Sequence, residues 1–196
     1  RKSSSPFILY KELMGGFDEN QRFVNLSDGG HIENLGIYEL LRRRCKFIIA
    51  IDSEADPDLN FKSLNTLIRY AKIDFDIDVS IDLSDFQKNE KGNCKAHFSL
   101  GKIDYGNDKI GYLLYIKSSL TGNERDYIQD YHRSHTSFPH ESTADQFFTE
   151  EQYEAYRALG SHMAGDLFRK ELGTINDSNE IGIGDFFNSL KKHLLV

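Results

Sequence analysis

The chain is short of cysteine, of basic charge and of long apolar runs, and each shortage excludes a class of protein. Its two cysteines, Cys45 and Cys94, make no framework of bridges and stand in no Cys-x-x-Cys spacing, which excludes a disulfide scaffold and favours a reduced, intracellular setting. Cys45 closes an apolar segment and reads as a small core residue. Lysine and arginine number 24 against 31 aspartates and glutamates, a formal net charge of -7. A nucleic acid partner is therefore not expected, since binding one needs a basic face to displace phosphate counterions. No apolar run approaches the ~20 residues that a membrane span requires. The opening Arg-Lys-Ser-Ser-Ser-Pro has no apolar region behind its basic pair, so no signal peptide is read. The expected location is cytoplasmic or peripheral to a membrane. The chain also opens without methionine, which fits a portion of a longer protein.

What is present is ordinary globular material, 196 residues with 39% hydrophobic and 28% charged. A chain of this size suits one domain and buries roughly 70% of its unfolded surface. No internal repeat is found.

The apolar patch Pro6–Tyr10 is placed to start a helix. Phe23-Val-Asn-Leu-Ser27 reads as a short strand stopped by Asp28-Gly29-Gly30. A helix is expected over roughly Glu33 to Arg44, with Leu35, Tyr38 and Leu41 on one stripe widened by Ile37 and Leu40. Glu33 in its first turn and Arg42-Arg43-Arg44 in its last suit the helix dipole. Lys46-Phe-Ile-Ile-Ala-Ile-Asp52 is a nearly continuous apolar run, the pattern of a strand covered on both faces. Together these predict a βαβ unit with a parallel strand pair and a right-handed crossover.

Further along, Leu64, Leu67, Ile68 and Ala71 predict a helix over Phe61–Ile73. Ile77–Leu83 alternates as a half-exposed strand does, and Ser84–Asn93 reads as a polar loop. Lys95–Asp104 and Ile110–Ser118 look like a strand pair joined by Tyr105-Gly-Asn-Asp-Lys109. Helices are expected at Gly122–Tyr131, Thr149–Lys170 and Asp185–Leu195. The fold class is therefore α/β.

Asp28 falls at the carboxyl end of a predicted parallel strand, where open α/β sheets gather reacting groups. Gly29 and Gly30 permit positive φ and leave room for a substrate or another backbone. Two readings follow. Asp-Gly-Gly is commonly a turn whose aspartate caps local amides. Alternatively, a carboxylate so placed accepts the proton of a serine hydroxyl, provided that it reaches hydrogen-bond distance.

The stretch Leu26-Ser-Asp-Gly-Gly-His-Ile-Glu-Asn-Leu-Gly-Ile-Tyr-Glu-Leu-Leu-Arg-Arg-Arg-Cys45, followed by Ile49-Ala-Ile-Asp-Ser-Glu-Ala-Asp-Pro57, resembles the bacterial branch of the patatin-like phospholipase family. Phe138-Pro-His-Glu-Ser-Thr-Ala-Asp-Gln-Phe-Phe148, with Tyr156-Arg-Ala-Leu-Gly160, looks like the same branch. The resemblance implies a three-layer α/β/α patatin-like fold. It also implies a lipid acyl hydrolase, acting on a phospholipid or related ester through a Ser-Asp dyad without histidine or cofactor. Asp28 would be the catalytic aspartate, with Gly29, Gly30, His31 and Asn34 supporting its turn. The sequence departs from the family in one respect. It contains no Gly-x-Ser-x-Gly nucleophile turn and no glycine-rich oxyanion loop, for Gly15-Gly16 is followed by Phe-Asp-Glu. Because oxyanion donors supply the largest share of acyl-transfer catalysis, these residues alone should be inert. Residues 1–196 are accordingly expected to be the C-terminal portion of a single domain, partnered by an upstream part of the same protein. The rival is a degenerate relative that serves as a scaffold or binding module.

Three other groups carry candidate chemistry. Asp52-Ser-Glu-Ala-Asp-Pro-Asp58 alternates acids as a calcium loop does, but Pro57 replaces the required glycine and Ser63 the required glutamate. Asp52 is expected to end its strand and the other acids to be solvated or to cap the next helix. His132, His135, His140 and Glu141 match no helical zinc spacing, and Pro139 forbids one continuous helix. No metal is expected. Arg42–Arg44 with Lys191, Lys192 and His193 invite a transient contact with an anionic membrane, although a solvated face explains such short clusters better.

Overall fold

The computed structural model describes residues 6–16, 20, 28–142, 144–172 and 182–194. The chain divides into two compact units, Arg1–Asn34 and Leu35–Val196. In the first unit the apolar patch does form a helix, α1, Pro6–Leu13. A 3-10 turn follows at Gly29–His31. The strand expected at Phe23–Ser27, and with it the first arm of the βαβ unit, lies outside the described residues.

The second unit is mixed α/β. In chain order it runs α2 (Tyr38–Arg42), β1 (Phe47–Asp52), α3 (Lys62–Phe75), β2 (Asp78–Ser80), β3 (Phe98–Asp104), β4 (Ile110–Lys117), α4 (Asp126–Ser134), α5 (Glu150–Leu172) and α6 (Ile183–Leu194). The strands form one sheet in the order β1-β4-β3-β2. β1 runs parallel to β4, while β3 pairs antiparallel with both β4 and β2. The expected hairpin is present between β3 and β4. Gly106, Asn107 and Asp108 all take positive φ there, and the Tyr105 amide donates to the Lys109 carbonyl at 2.9 Å. This is the turn chemistry that the strand twist demands.

Apolar residues pack on both faces of the sheet. On one, Ile48, Ala50, Ile103, Leu113 and Tyr115 meet Leu41 of α2 and Leu64, Leu67 and Ala71 of α3. On the other, Phe98, Leu100 and Leu114 meet Leu167 of α5 and Phe186, Phe187 and Leu190 of α6. A third cluster joins Ile128 and Tyr131 of α4 to Ala155, Leu159 and Met163 of α5. Each large side chain so enclosed contributes on the order of 1.5–3 kcal/mol.

Four expectations need correction. The helix predicted over 33–44 is only Tyr38–Arg42, because Gly36 takes a φ of 70° that no helix continues. Its first-turn acid is therefore Glu39 rather than Glu33, and Arg44 leaves the helix with positive φ. β1 is not covered on both faces. Among the described strands it lies at the sheet's edge, and its Ile49 and Ile51 are 45% and 70% exposed, since among the described residues only Phe47 of that face reaches α6, stacking on Phe187 at 4.5 Å. The segment Ser84–Asn93 is less polar than expected, for a 3-10 turn at Ser84–Phe86 buries Phe86. The helix placed at 122–131 starts at Asp126, because Thr121 and Gly122 instead donate their amides to the Glu124 carboxylate.

Candidate functional site

In the first unit Asp28 stands before Gly29–His31 as the N-cap of that turn. Its carbonyl accepts the His31 amide at 3.1 Å. Its carboxylate is exposed and accepts the Gly30 amide at 3.4 Å. Gly29 and Gly30 do not use the positive φ that the sequence suggested; a side chain at Gly30 would meet that of Asn34. A Cβ on it would lie 2.5 Å from Asn34 Oδ1 and 3.5 Å from Asp28 Oδ2. Asn34 and Asp28 thus close on Gly30 from two sides. His31 is exposed beside them. The capping turn is realised, and it presents a carboxylate oxygen to solvent.

The second unit holds a carboxylate of the opposite kind. Asp52 ends β1 as expected, and it is buried. The parallel register sets it directly opposite Lys117, the last residue of β4. Lys117 Nζ donates to Asp52 Oδ1 at 2.9 Å and to the Glu54 carbonyl at 2.7 Å. The Glu54 amide donates to the same Oδ1 at 2.8 Å, and the Tyr115 hydroxyl donates to Oδ2. Burial first, and then the hydrogen bond and charge of Asp52, hold the Tyr115 phenol above its ordinary range. The phenol therefore stays protonated and remains a donor. Both charges are thus matched by hydrogen bonds, the condition a buried ion pair needs to repay the cost of leaving water. Sequence reasoning missed this network. The available signal was a lone lysine closing the otherwise apolar run Ile110–Ile116.

The loop after Asp52 is held from several sides. Asp56 accepts the amides of Asn60 at 3.0 Å and Phe61 at 2.7 Å, and so caps the entry to α3 as expected. That entry is strained, for Phe61 has a φ of 52°. Its ring is nonetheless anchored edge-on against Phe86 and Tyr115. Lys88 Nζ donates to the Pro57 carbonyl at 2.7 Å, and the Asp56 amide approaches His140 Nδ1 at 3.4 Å. Burial, followed by the positive charges of Lys117 and Lys88, depresses the His140 imidazole to about 4. An open cavity of about 370 Å³ lies beside this loop, lined by Asp52, Glu54, Asp56, Asn60, Phe61 and Lys62 among others. It sits at the carboxyl end of β1, the position where such sheets bind ligands.

The remaining groups resolve into local contacts. Arg42 and Arg43 both pair with Glu39, at 2.6 and 2.8 Å, and Arg44 donates to the Tyr105 carbonyl at 2.6 Å. Lys191 sits over the Tyr112 ring at 4.7 Å. His135 stacks on Tyr131 with centroids 4.1 Å apart, while His132 and His140 line one small pocket, and these histidines do not bring three ligand atoms together. Among the described residues the group able to hold a metal ion is His97, His162 and Asp166. No described helix is long and apolar enough to cross a membrane.

No family model, curated protein or solved structure matches this chain.

Proposed function

We propose that this protein is the aspartate-bearing portion of a lipid acyl hydrolase with a three-layer, patatin-like α/β/α fold. The observation that carries the reading is the run Leu26–Cys45, in which Asp28-Gly29-Gly30 is followed by His-Ile-Glu-Asn-Leu-Gly. Two features of the turn support it. The Asp28 carboxylate is exposed, and Asn34 packs over Gly30, so that a larger residue there would have to displace the Asn34 side chain.

In this reading a serine from an upstream part of the same protein gives its hydroxyl proton to Asp28. The serine oxygen attacks the ester carbonyl of a phospholipid or related lipid, and the alcohol leaves with that proton. Water then cleaves the acyl-serine by the reverse relay, with Asp28 again taking and returning the proton. His31 and Asn34 hold the turn and touch no substrate atom.

The test is Asp28→Asn in the full-length protein, assayed on a p-nitrophenyl ester and on phospholipid vesicles. A general base contributes roughly 10²–10⁴-fold, so kcat should fall by at least that factor with an unchanged Tm. Unaltered hydrolysis in the variant would refute the assignment. The scaffold or binding-module reading rests on the lack of a Gly-x-Ser-x-Gly turn in these 196 residues. A fluorophosphonate probe that labels no serine in the full-length protein would favour it.

A further inference from the structure

The start of β3, the turn after β4 and the middle of α5 converge on one polar cluster inside the second unit. His97, immediately before β3, is buried. On α5, His162 and Asp166 are spaced one helical turn apart and are mostly enclosed, with 12% and 17% of their side chains exposed. The ligand-capable atoms of these three residues all lie within 4.8 Å of one another. His162 Nε2 and Asp166 Oδ2 are 3.5 Å apart, against the ~3.3 Å edge of a tetrahedron built on zinc–nitrogen and zinc–oxygen bonds.

The hydrogen-bond order around His97 prepares one nitrogen for a ligand. The Ser119 hydroxyl donates to the Lys117 carbonyl at 3.1 Å, so its oxygen is left to accept from His97 Nδ1 at 3.0 Å. A cation on Nε2 would hold the proton on Nδ1, the arrangement in which an outer hydroxyl or carbonyl orients a metal-bound imidazole; without one, Thr121 Oγ1, whose own proton faces Asn123 Oδ1 at 2.6 Å, can accept from Nε2. Thr121 Oγ1 lies 3.2 Å from that Nε2, and the Glu124 carboxylate lies 3.9 Å from it. Glu124 is itself buried and is fixed by the amides of Thr121 and Gly122. Asp166 and Glu124 together bring two carboxylates to the cluster; the exposed Arg169 reaches Asp166 Oδ1 at 3.4 Å, and Oδ2 stays on the His162 side. A divalent cation at Oδ2 would add the charge that one long ion pair does not supply.

We propose that His97 Nε2, His162 Nε2 and Asp166 bind a divalent ion of the zinc class and clamp α5 to the start of β3. Two imidazoles and one carboxylate suit zinc or cobalt and disfavour calcium and magnesium, which prefer all-oxygen ligands. Three protein ligands leave one position of a tetrahedron for water or for Asn123 Oδ1, which already lies 3.0 Å from His162 Nε2. The spacing in sequence conceals the site, because the two histidines are 65 positions apart. It is independent of the hydrolase reading.

The experiment is titration of the chelator-treated protein with Zn²⁺ by calorimetry and with Co²⁺ by visible absorption. One ion per chain, tetrahedral Co²⁺ bands and a Tm that climbs with free Zn²⁺ are expected. His162→Ala and the isosteric Asp166→Asn should each weaken binding beyond the ~10–100-fold that outer-shell changes cost, and Ser119→Ala should fall within that range. His135→Ala should bind as the parent does. Absence of stoichiometric binding overturns the proposal. So does equal affinity in folded Asp166→Asn and parent protein, which would leave the cluster as a hydrogen-bonded network alone.

Discussion

Asp28 stands in solvent at the head of a three-residue turn, its carboxylate accepting the Gly30 amide at 3.4 Å. Asp52 instead closes a strand inside the sheet, with a lysine, a tyrosine and a backbone amide on its two oxygens. The two residues share a side chain and opposite circumstances. An exposed carboxylate loses little solvation on folding, so it can be kept for its proton chemistry at small cost to stability. A buried one must be matched partner by partner, and its value then lies in the architecture it ties together. Asp52 joins β1 to β4 and anchors the Glu54 carbonyl through Lys117. Among the described residues the Asp28 carboxylate bonds only within its own turn. The proposed proton chemistry falls to Asp28, and the structural tie to Asp52.

The strongest way to break this contrast is Lys117→Met. It strands Asp52 as an uncompensated buried charge and should cost about 3–5 kcal/mol, read as a lower urea midpoint at unchanged slope. A cost below about 1 kcal/mol would show that Asp52 had been solvated after all.

Acid should act on the same region through His140. Unfolded, this imidazole takes its proton near 6.5; folded, near about 4. Between those values the unfolded chain holds the extra proton, so stability falls as pH drops from 6.5 to 4 and this group adds nothing further outside that window. The depression corresponds to at most roughly 3 kcal/mol. Urea titrations across this range should show the slope, and His140→Asn, which keeps an acceptor near the Nδ1 position, should flatten it. An equal slope in that variant would assign the acid sensitivity to other groups.

Tyr115→Phe is milder, because it removes one donor and leaves Oδ2 unpaired in a buried place. A cost of about 1–3 kcal/mol is expected by thermal or urea unfolding. Asp28→Asn closes the series with no measurable change in Tm, since the asparagine oxygen can still accept the Gly30 amide. A large loss of stability there would erase the distinction between the two aspartates.

Local features of the sequence carried most of the second unit. The stripe Leu64, Leu67, Ala71 determined α3, the Gly106-Asn107-Asp108 turn determined the β3–β4 hairpin, and apolar periodicity located α5 and α6 to within two residues. Such signals are legible because backbone angles and side-chain faces depend on neighbours a few positions away. The capping role of Asp28 was legible for the same reason. The parallel pairing of β1 with β4 was not, and neither was the one-sided exposure of β1, because an apolar run states that a strand can be covered without stating what covers it. Asp52 and Lys117 are 65 residues apart, as are His97 and His162. In each pair, neither residue differs by itself from a surface polar group. Sheet order and register decided which of them meet, and burial in that register turned an acidic loop into a structural ion pair and two distant histidines into neighbours.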